Sequence, residues 1–179
     1  MALAYQEYYT IDDYQHWYGD WELIEGMPYA MAPSPTVTHQ TVGFNIASEI
    51  KAELNKQGNS CDNCCVLMET DWQVSNDTVV RPDVMVICQK INEKVQVTPE
   101  LIIEVVSLSS TKRDEVMKLD LYQREGVLYY ILAYPEKRLA TIYQNRVEGF
   151  SKVGDYSTDT VTFNIRKCSF IVNFEMIWR

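Results

Sequence analysis

The sequence predicts an α/β protein, with a sheet carrying helices on its faces and extra strands at both ends. Three observations predict it. Val79–Cys88 and Leu101–Ser107 are runs rich in Val, Ile, Leu and Met, broken by Arg81-Pro82-Asp83 in the first and Glu104 in the second, the pattern of strands buried on both faces. Between His39 and Lys56, Val42, Ile46, Ile50 and Leu54 recur every fourth residue, which gives a helix one apolar face. The order of elements is strands, helix, strands, helix and strand, with further short strands before and after.

In chain order, Thr10 followed by Asp12 and Asp13 reads as a cap with first-turn acids, so a short helix is expected near 10–18. Glu25-Gly26 reads as the turn of a β-hairpin with strands near 20–25 and 28–32. Pro33, Ser34 and Pro35 break structure, Thr36 or Thr38 caps the amphipathic helix, and Gly58 ends it. Cys64–Val74 reads as one strand, Asn76-Asp77 as a turn, and Thr78–Cys88 as the next strand. A polar connector covers 89–99. After the strand at 101–107, Ser110 or Thr111 caps a helix to about 125, and Gly126 stops it. Val127–Ala133 is a further buried strand, Pro135-Glu136-Lys137 a turn, and Leu139–Gln144, Phe150–Val153 and Thr160–Ile165 short strands. The apolar end, FIVNFEMIW, is expected to dock on the core.

Length and composition narrow the function classes. The chain has 179 residues, 46% of them hydrophobic, which fits one globular domain over 1–179. No apolar run approaches the ~18 residues of a membrane span, and the N-terminus lacks a basic start followed by an apolar segment, so the expectation is a cytoplasmic protein without a membrane partner. A net charge of −9 argues against broad non-specific nucleic-acid binding, though not against a nuclease whose acidic centre is offset by metal. The five cysteines include a CxxC at Cys61 and Cys64. No second pair follows, and His16 and His39 stand alone upstream. The expectation is therefore reduced thiols rather than a zinc site.

The chemistry is concentrated in the two apolar runs. Each carries one carboxylate, Asp83 in the first and Glu104 in the second. An unpaired charge in such surroundings costs several kcal/mol, on the order of the figures for buried polar groups. On neighbouring strands about 4.8 Å apart, two such groups could share a cation. Pro82 cannot donate to a ladder, so the strand around Asp83 is expected to be distorted and could aim the acid at an open cleft. The plainer readings are Asp83 in solvent or paired with Arg81, and Glu104 in a buried ion pair with Lys112, Arg113 or Lys118. Asp114, Lys118 and Tyr122 follow at i, i+4 and i+8, on one helical face.

Taken together these residues resemble the Uma-two endonuclease family, nuclease-fold proteins of the PD-(D/E)XK type that are abundant in cyanobacteria. Trp21-Glu22-Leu23-Ile24-Glu25-Gly26 is similar to the family's opening YELI(D/E)G, and Pro33-Ser34-Pro35 with His39 to its SPSP…H. Arg81-Pro82-Asp83-Val84 is similar to RPDV. Glu104-Val105-Val106-Ser107 with Ser110-Thr111, Asp114, Lys118 and Tyr122 is similar to EV-x-S…ST…D…K…Y. Gly126-Val127 and Tyr129-Tyr130 are similar to GV-x-EYW, with LYY at 128–130 as a departure. The resemblance covers roughly 20–145.

The resemblance implies a restriction-endonuclease-like core, about 37–133, with a mixed central sheet flanked by helices, an N-terminal hairpin and extra C-terminal strands. It implies a metal-dependent DNA endonuclease in which Asp83 and Glu104 hold Mg2+ or Mn2+ and act with a lysine. Val106 stands where the superfamily lysine would be, so Lys118 from the following helix is the candidate, with Lys112 as the alternative. Glu22, His39 and Asp114 are auxiliary candidates, with Glu22 preferred over Glu25 or Glu49 as an added acid. Phosphodiester hydrolysis needs neutralised phosphate charge and an activated water, which accounts for these residue types. The alternative is a catalytically weak or inactive nuclease-fold protein that binds or regulates. Twelve tyrosines and four tryptophans suggest a homodimer interface.

Overall fold

The structure is a computed structural model and describes residues 7–31, 34–56, 61–107, 110–166 and 168–179. Pro33 and Gly58 lie outside the described residues. The elements in order are α1 (Ile11–Tyr14), β1 (Trp21–Ile24), β2 (Met27–Ala30), α2 (Val37–Leu54), β3 (Cys65–Met68), β4 (Trp72–Ser75), β5 (Thr78–Val80), β6 (Val84–Ile87) and β7 (Leu101–Val105). A π-helical stretch, Arg113–Lys118, runs straight into α3 (Leu119–Arg124). Then come β8 (Tyr129–Tyr134), β9 (Leu139–Arg146), β10 (Gly149–Tyr156), β11 (Thr160–Ile165), β12 (Cys168–Asn173) and α4 (Phe174–Ile177).

The central sheet is six-stranded, in the order β10-β9-β8-β7-β6-β3. It is mixed, as expected: β7 and β8 are parallel, and every other neighbouring pair is antiparallel. A parallel pair needs a crossover, and the π-helical stretch with α3 supplies it. A four-stranded sheet, β2-β1-β5-β4, and the hairpin β11-β12 complete the strands. Strands outnumber helices.

The expected single strands 64–74 and 78–88 are each two strands, and this is a correction with a clear cause. Together they form one long hairpin about Asn76-Asp77 that passes from one sheet to the other. Its base, β3 and β6, belongs to the six-stranded sheet; its tip, β4 and β5, belongs to the four-stranded one. Glu69 turns at φ +44, and Pro82 has no N–H for a ladder. The Glu69 N–H bonds the Asp83 carbonyl at 3.1 Å and ties the two bends together. The helix expected near 10–18 is only α1. Asp13 accepts from the Thr10 N–H and hydroxyl as a cap should, but no α1 residue is buried to extend it by packing.

Other local readings hold. Glu25 and Gly26 have φ of +51 and +77, the left-handed pair of a two-residue hairpin turn. The Thr36 hydroxyl caps α2 by accepting from the His39 N–H. Val42, Ile46, Ile50 and Leu54 are all buried. They pack with Ile103, Ile131 and the chain end, where Phe170, Val172, Phe174 and Ile177 are buried, on one face of the central sheet. The other face packs Met85, Ile102 and Tyr130 against Trp72, Leu121 and Tyr122. Side chains alternate along β7, so Glu104 projects to the same face as Ile102, toward α3.

The reduced-thiol expectation is also corrected. Cys61 is bonded to Cys168 and Cys64 to Cys88, and Cys65 is the free cysteine. Register explains the second bond: Cys65 pairs with Ile87, so Cys64 faces Cys88 at the next step of the ladder. The first ties the approach to β3 to β12. The CxxC thus splits between two partners distant in sequence, which spacing alone could not reveal.

Candidate active site

Glu22, Glu104, Asp114 and Lys118 converge from β1, β7 and the π-helical stretch, and all four are buried. The Lys118 Nζ lies 2.8 Å from Glu22 Oε1, 2.9 Å from Glu104 Oε1 and 3.9 Å from Asp114 Oδ1. The Tyr122 hydroxyl donates to the same Glu104 oxygen at 2.8 Å. The helical face read from the spacing is therefore the inward one: Asp114, Lys118 and Tyr122 all point at the strand carboxylates. A π-helical stretch is a known marker of functional positions, and this one carries both Asp114 and Lys118.

Asp83 sits at the edge of this cluster, in the bend between β5 and β6. Val84 pairs with Ile103, so Asp83 stands one step further along, level with Glu104. The Val105 N–H donates to Asp83 Oδ2 at 2.6 Å, and His39 Nε2 lies 3.4 Å from the same oxygen. About a fifth of the Asp83 and His39 side chains is exposed, whereas Glu104 and Lys118 are enclosed. The open cleft expected at these residues is thus, among the described residues, a closed cluster whose Asp83, His39 and Arg113 side chains reach the surface in part. The reason is Glu22: it brings β1 over Lys118, and a long-range contact of this kind has no local signal.

Arg81 does not pair with Asp83. Its guanidinium binds Asp71 and Asp20, both at 2.7 Å, and its backbone N–H donates to Glu22 Oε1 at 2.9 Å. Arg113 takes the other Glu22 oxygen at 3.3 Å, donates to the Ala30 carbonyl, and lies over the Tyr29 ring. Its pairing with Glu22 was not readable from the sequence, because no spacing links positions 22 and 113. Lys112 is exposed, Glu25 pairs with Arg124 on the surface, and Glu49 accepts from the Asn173 N–H, so none of these three joins the cluster.

The electrostatics follow from enclosure. Burial pushes the Glu104 carboxyl well above its ordinary range, and the shared Lys118 ammonium only partly opposes this. Burial likewise raises Asp114 to about 6, against Lys118 and a hydrogen bond from Ser110. Burial alone would lower Lys118, but Glu104, Glu22 and Asp114 outweigh it and hold the ammonium charged. The hydrogen bond to Asp83 raises His39 above its usual value despite burial.

Four carboxylates (Glu22, Asp83, Glu104 and Asp114) meet two fixed cations (Lys118 and Arg113); with all four acids ionised, the state a bound cation would favour over the protonated one that burial promotes, two negative charges would be left over. An all-oxygen donor set with that excess fits a divalent cation of the Mg2+ type. Among the described residues, no three His, Cys, Asp or Glu side chains are already gathered at metal-holding distance. The fit is one of charge and donor type, with Lys118 now in contact with the acids.

A mixed sheet flanked by helices, with buried acids and a lysine against one face, is the architecture that the nuclease-fold resemblance implies. The chain belongs to the Uma2 family, described as "Putative restriction endonuclease", whose model matches residues 6–166. Among solved structures, the chain is similar to the crystal structure of "a putative nuclease belonging to DUF820 from Anabaena variabilis ATCC 29413". The TM-score is 0.74 at 15% identity, covering 95% of this chain and 97% of that one, which shows a shared fold. No curated protein matches. The family supports a nuclease function in general terms, with DNA as the substrate that such a family implies.

Proposed function

We propose that this chain is a metal-dependent DNA endonuclease whose centre is Asp83, Glu104 and Lys118. The observation that carries this reading is the convergence of four carboxylates from separate elements on one lysine held as ammonium. Asp83 and Glu104 would hold Mg2+ or Mn2+. Among the described residues, the contacts given above use Asp83 Oδ2 and Glu104 Oε1, and Oδ1 and Oε2 would ligate. A divalent ion there would offset charge on the scissile phosphate and acidify a bound water.

The chain's own residues would do the rest. The Val105 N–H fixes Asp83, and the Tyr122 hydroxyl fixes Glu104. Lys118 would place its ammonium against the charge that develops on the phosphate oxygens, where a preorganised donor in a water-poor site is worth most. Glu22, anchored by Arg113 and the Arg81 N–H, orients Lys118. His39, at the exposed edge beside Asp83, is placed to take or give a proton where substrate would arrive. The reading includes a homodimer: Val37 and Phe44, about two turns apart on α2, are exposed apolar side chains that supply a face for it. Light scattering checks it.

The test is incubation of purified protein with supercoiled plasmid and linear DNA in Mg2+ or Mn2+, beside Asp83→Ala and Glu104→Gln. Cleavage by the wild type and its loss in both variants is the expected result; equal cleavage by the variants removes the assignment. The enclosure of Lys118 favours a second reading, a nuclease-fold binding module in which the lysine stays locked to the acids. Calorimetry separates the two, since Mg2+ uptake that disappears in Asp83→Ala belongs to the first reading only.

A further inference from the structure

A cavity of about 350 Å³ lies between α1 and the four-stranded sheet, with Arg81 in its lining. This is within the size range of small-ligand sites. Its lining includes the rings of Tyr14 and Trp17, the apolar Val79 and Val95, and the polar Asp71, Gln73 and Arg81. Trp17 meets Tyr9, Tyr14 and Trp21 at 82°, 65° and 66°, all edge-to-face, so none of these three rings lies parallel on its indole.

The charges at this cavity balance. Asp71 and Glu93 stand against Arg81 and Lys94, and Arg81 is already held by Asp71 and Asp20. Arg81 is committed to these acids, and Lys94 is exposed beside Glu93; a flat, uncharged ring with hydrogen-bonding edges would find an indole, an amide and a carboxylate among the lining side chains. The cavity is also joined to the candidate centre. Arg81 lines it, while the Arg81 N–H binds Glu22, which binds Lys118. Asp83 is two residues on, roughly 7 Å of extended chain.

We propose that this cavity binds one unstacked nucleobase of the nucleic-acid strand, with Trp17 as its stacking platform. The inference rests on the nuclease reading for its ligand class. It supplies what a chain of net charge −9 otherwise lacks, a grip on nucleic acid that does not depend on a basic surface. Base–aromatic stacking tolerates any sequence and is lost on truncation to alanine.

The experiment titrates the whole chain in EDTA, so that nothing is cut, with a short oligothymidylate and with an abasic backbone of equal length. Fluorescence and anisotropy are read together. The expected results are quenching by oligothymidylate, loss of most of that quenching in Trp17→Phe, and binding weakened about 5- to 150-fold in Trp17→Ala, the range that stacking energies give. Trp17→Phe keeps an aromatic ring in place, so the test survives if Trp17→Ala does not fold. Unchanged quenching in Trp17→Phe, equal binding of the abasic strand, or no binding overturns the proposal. Metal-dependent cleavage is scored separately with Asp83→Ala. Trp17-dependent binding without cleavage sinks the nuclease reading and keeps the base site; cleavage without Trp17-dependent quenching does the reverse.

Discussion

Lys118 and Glu104 meet at 2.9 Å with about 4% of each side chain exposed, although one belongs to a π-helical stretch and the other to a central strand. Glu22 makes the third member of this contact, and its side chain is still more enclosed. The ammonium is therefore shared by three buried acids; removing it leaves Glu104 and Asp114 with hydrogen bonds from neutral groups, while Glu22 keeps Arg113.

Lys118→Met should destabilise the fold by roughly 3–5 kcal/mol, the usual effect of breaking a buried pair from one side. Urea denaturation of the metal-free protein measures it. A loss below about 1 kcal/mol, the scale of a surface pair, would mean the acids find other partners or protons.

The disulfide pairing makes a chemical prediction. Protein unfolded without reductant should expose one titratable thiol, Cys65. The bond between Cys61 and Cys168 spans 107 residues. By the chain-entropy estimate, closing a loop of that size stabilises by about 4–5 kcal/mol. Reductant should therefore lower the melting temperature markedly, as should Cys168→Ser. Five free thiols in the unreduced protein would contradict the pairing.

His39 gives a pH dependence of definite sign. Its folded pKa is raised by the Asp83 carboxylate, so its contribution to stability is complete below its unfolded value. It is lost as pH rises through the folded value. In EDTA, the stability advantage of wild type over His39→Gln should shrink as pH rises upward from the ordinary imidazole value. A flat difference over that rise would remove the His39–Asp83 coupling.

Gly26 sits at φ +77, and a Cβ there would stand 2.2 Å from the Tyr8 ring. Gly26→Ala should cost about 1–3 kcal/mol from backbone strain alone. It should also displace Tyr8 from its hydrogen bond to Asp77. Denaturant melts of this variant, with Gly126→Ala as a positive-φ position whose Cβ meets nothing within 4 Å, separate strain from collision.

The sequence alone determined whatever depends on neighbours along the chain. The four-residue recurrence from Val42 to Leu54 fixed α2 and its buried face, because one helical turn brings such residues into line. Glu25-Gly26 fixed a hairpin, since few residue pairs accept two positive φ values. Apolar runs interrupted by Asp83 and Glu104 marked the central strands and the acids, and the spacing of Asp114, Lys118 and Tyr122 marked the facing surface. Tertiary structure decided what depends on separations no spacing encodes. It sent β4 and β5 into a second sheet, laid Glu22 across Lys118, and enclosed acids that the sequence expects in an open cleft. It also paired Cys61 with Cys168 and Cys64 with Cys88. Register and sheet packing choose such partners only once the whole chain has condensed, when burial of both sheet faces leaves the charged groups no nearer source of compensation than each other.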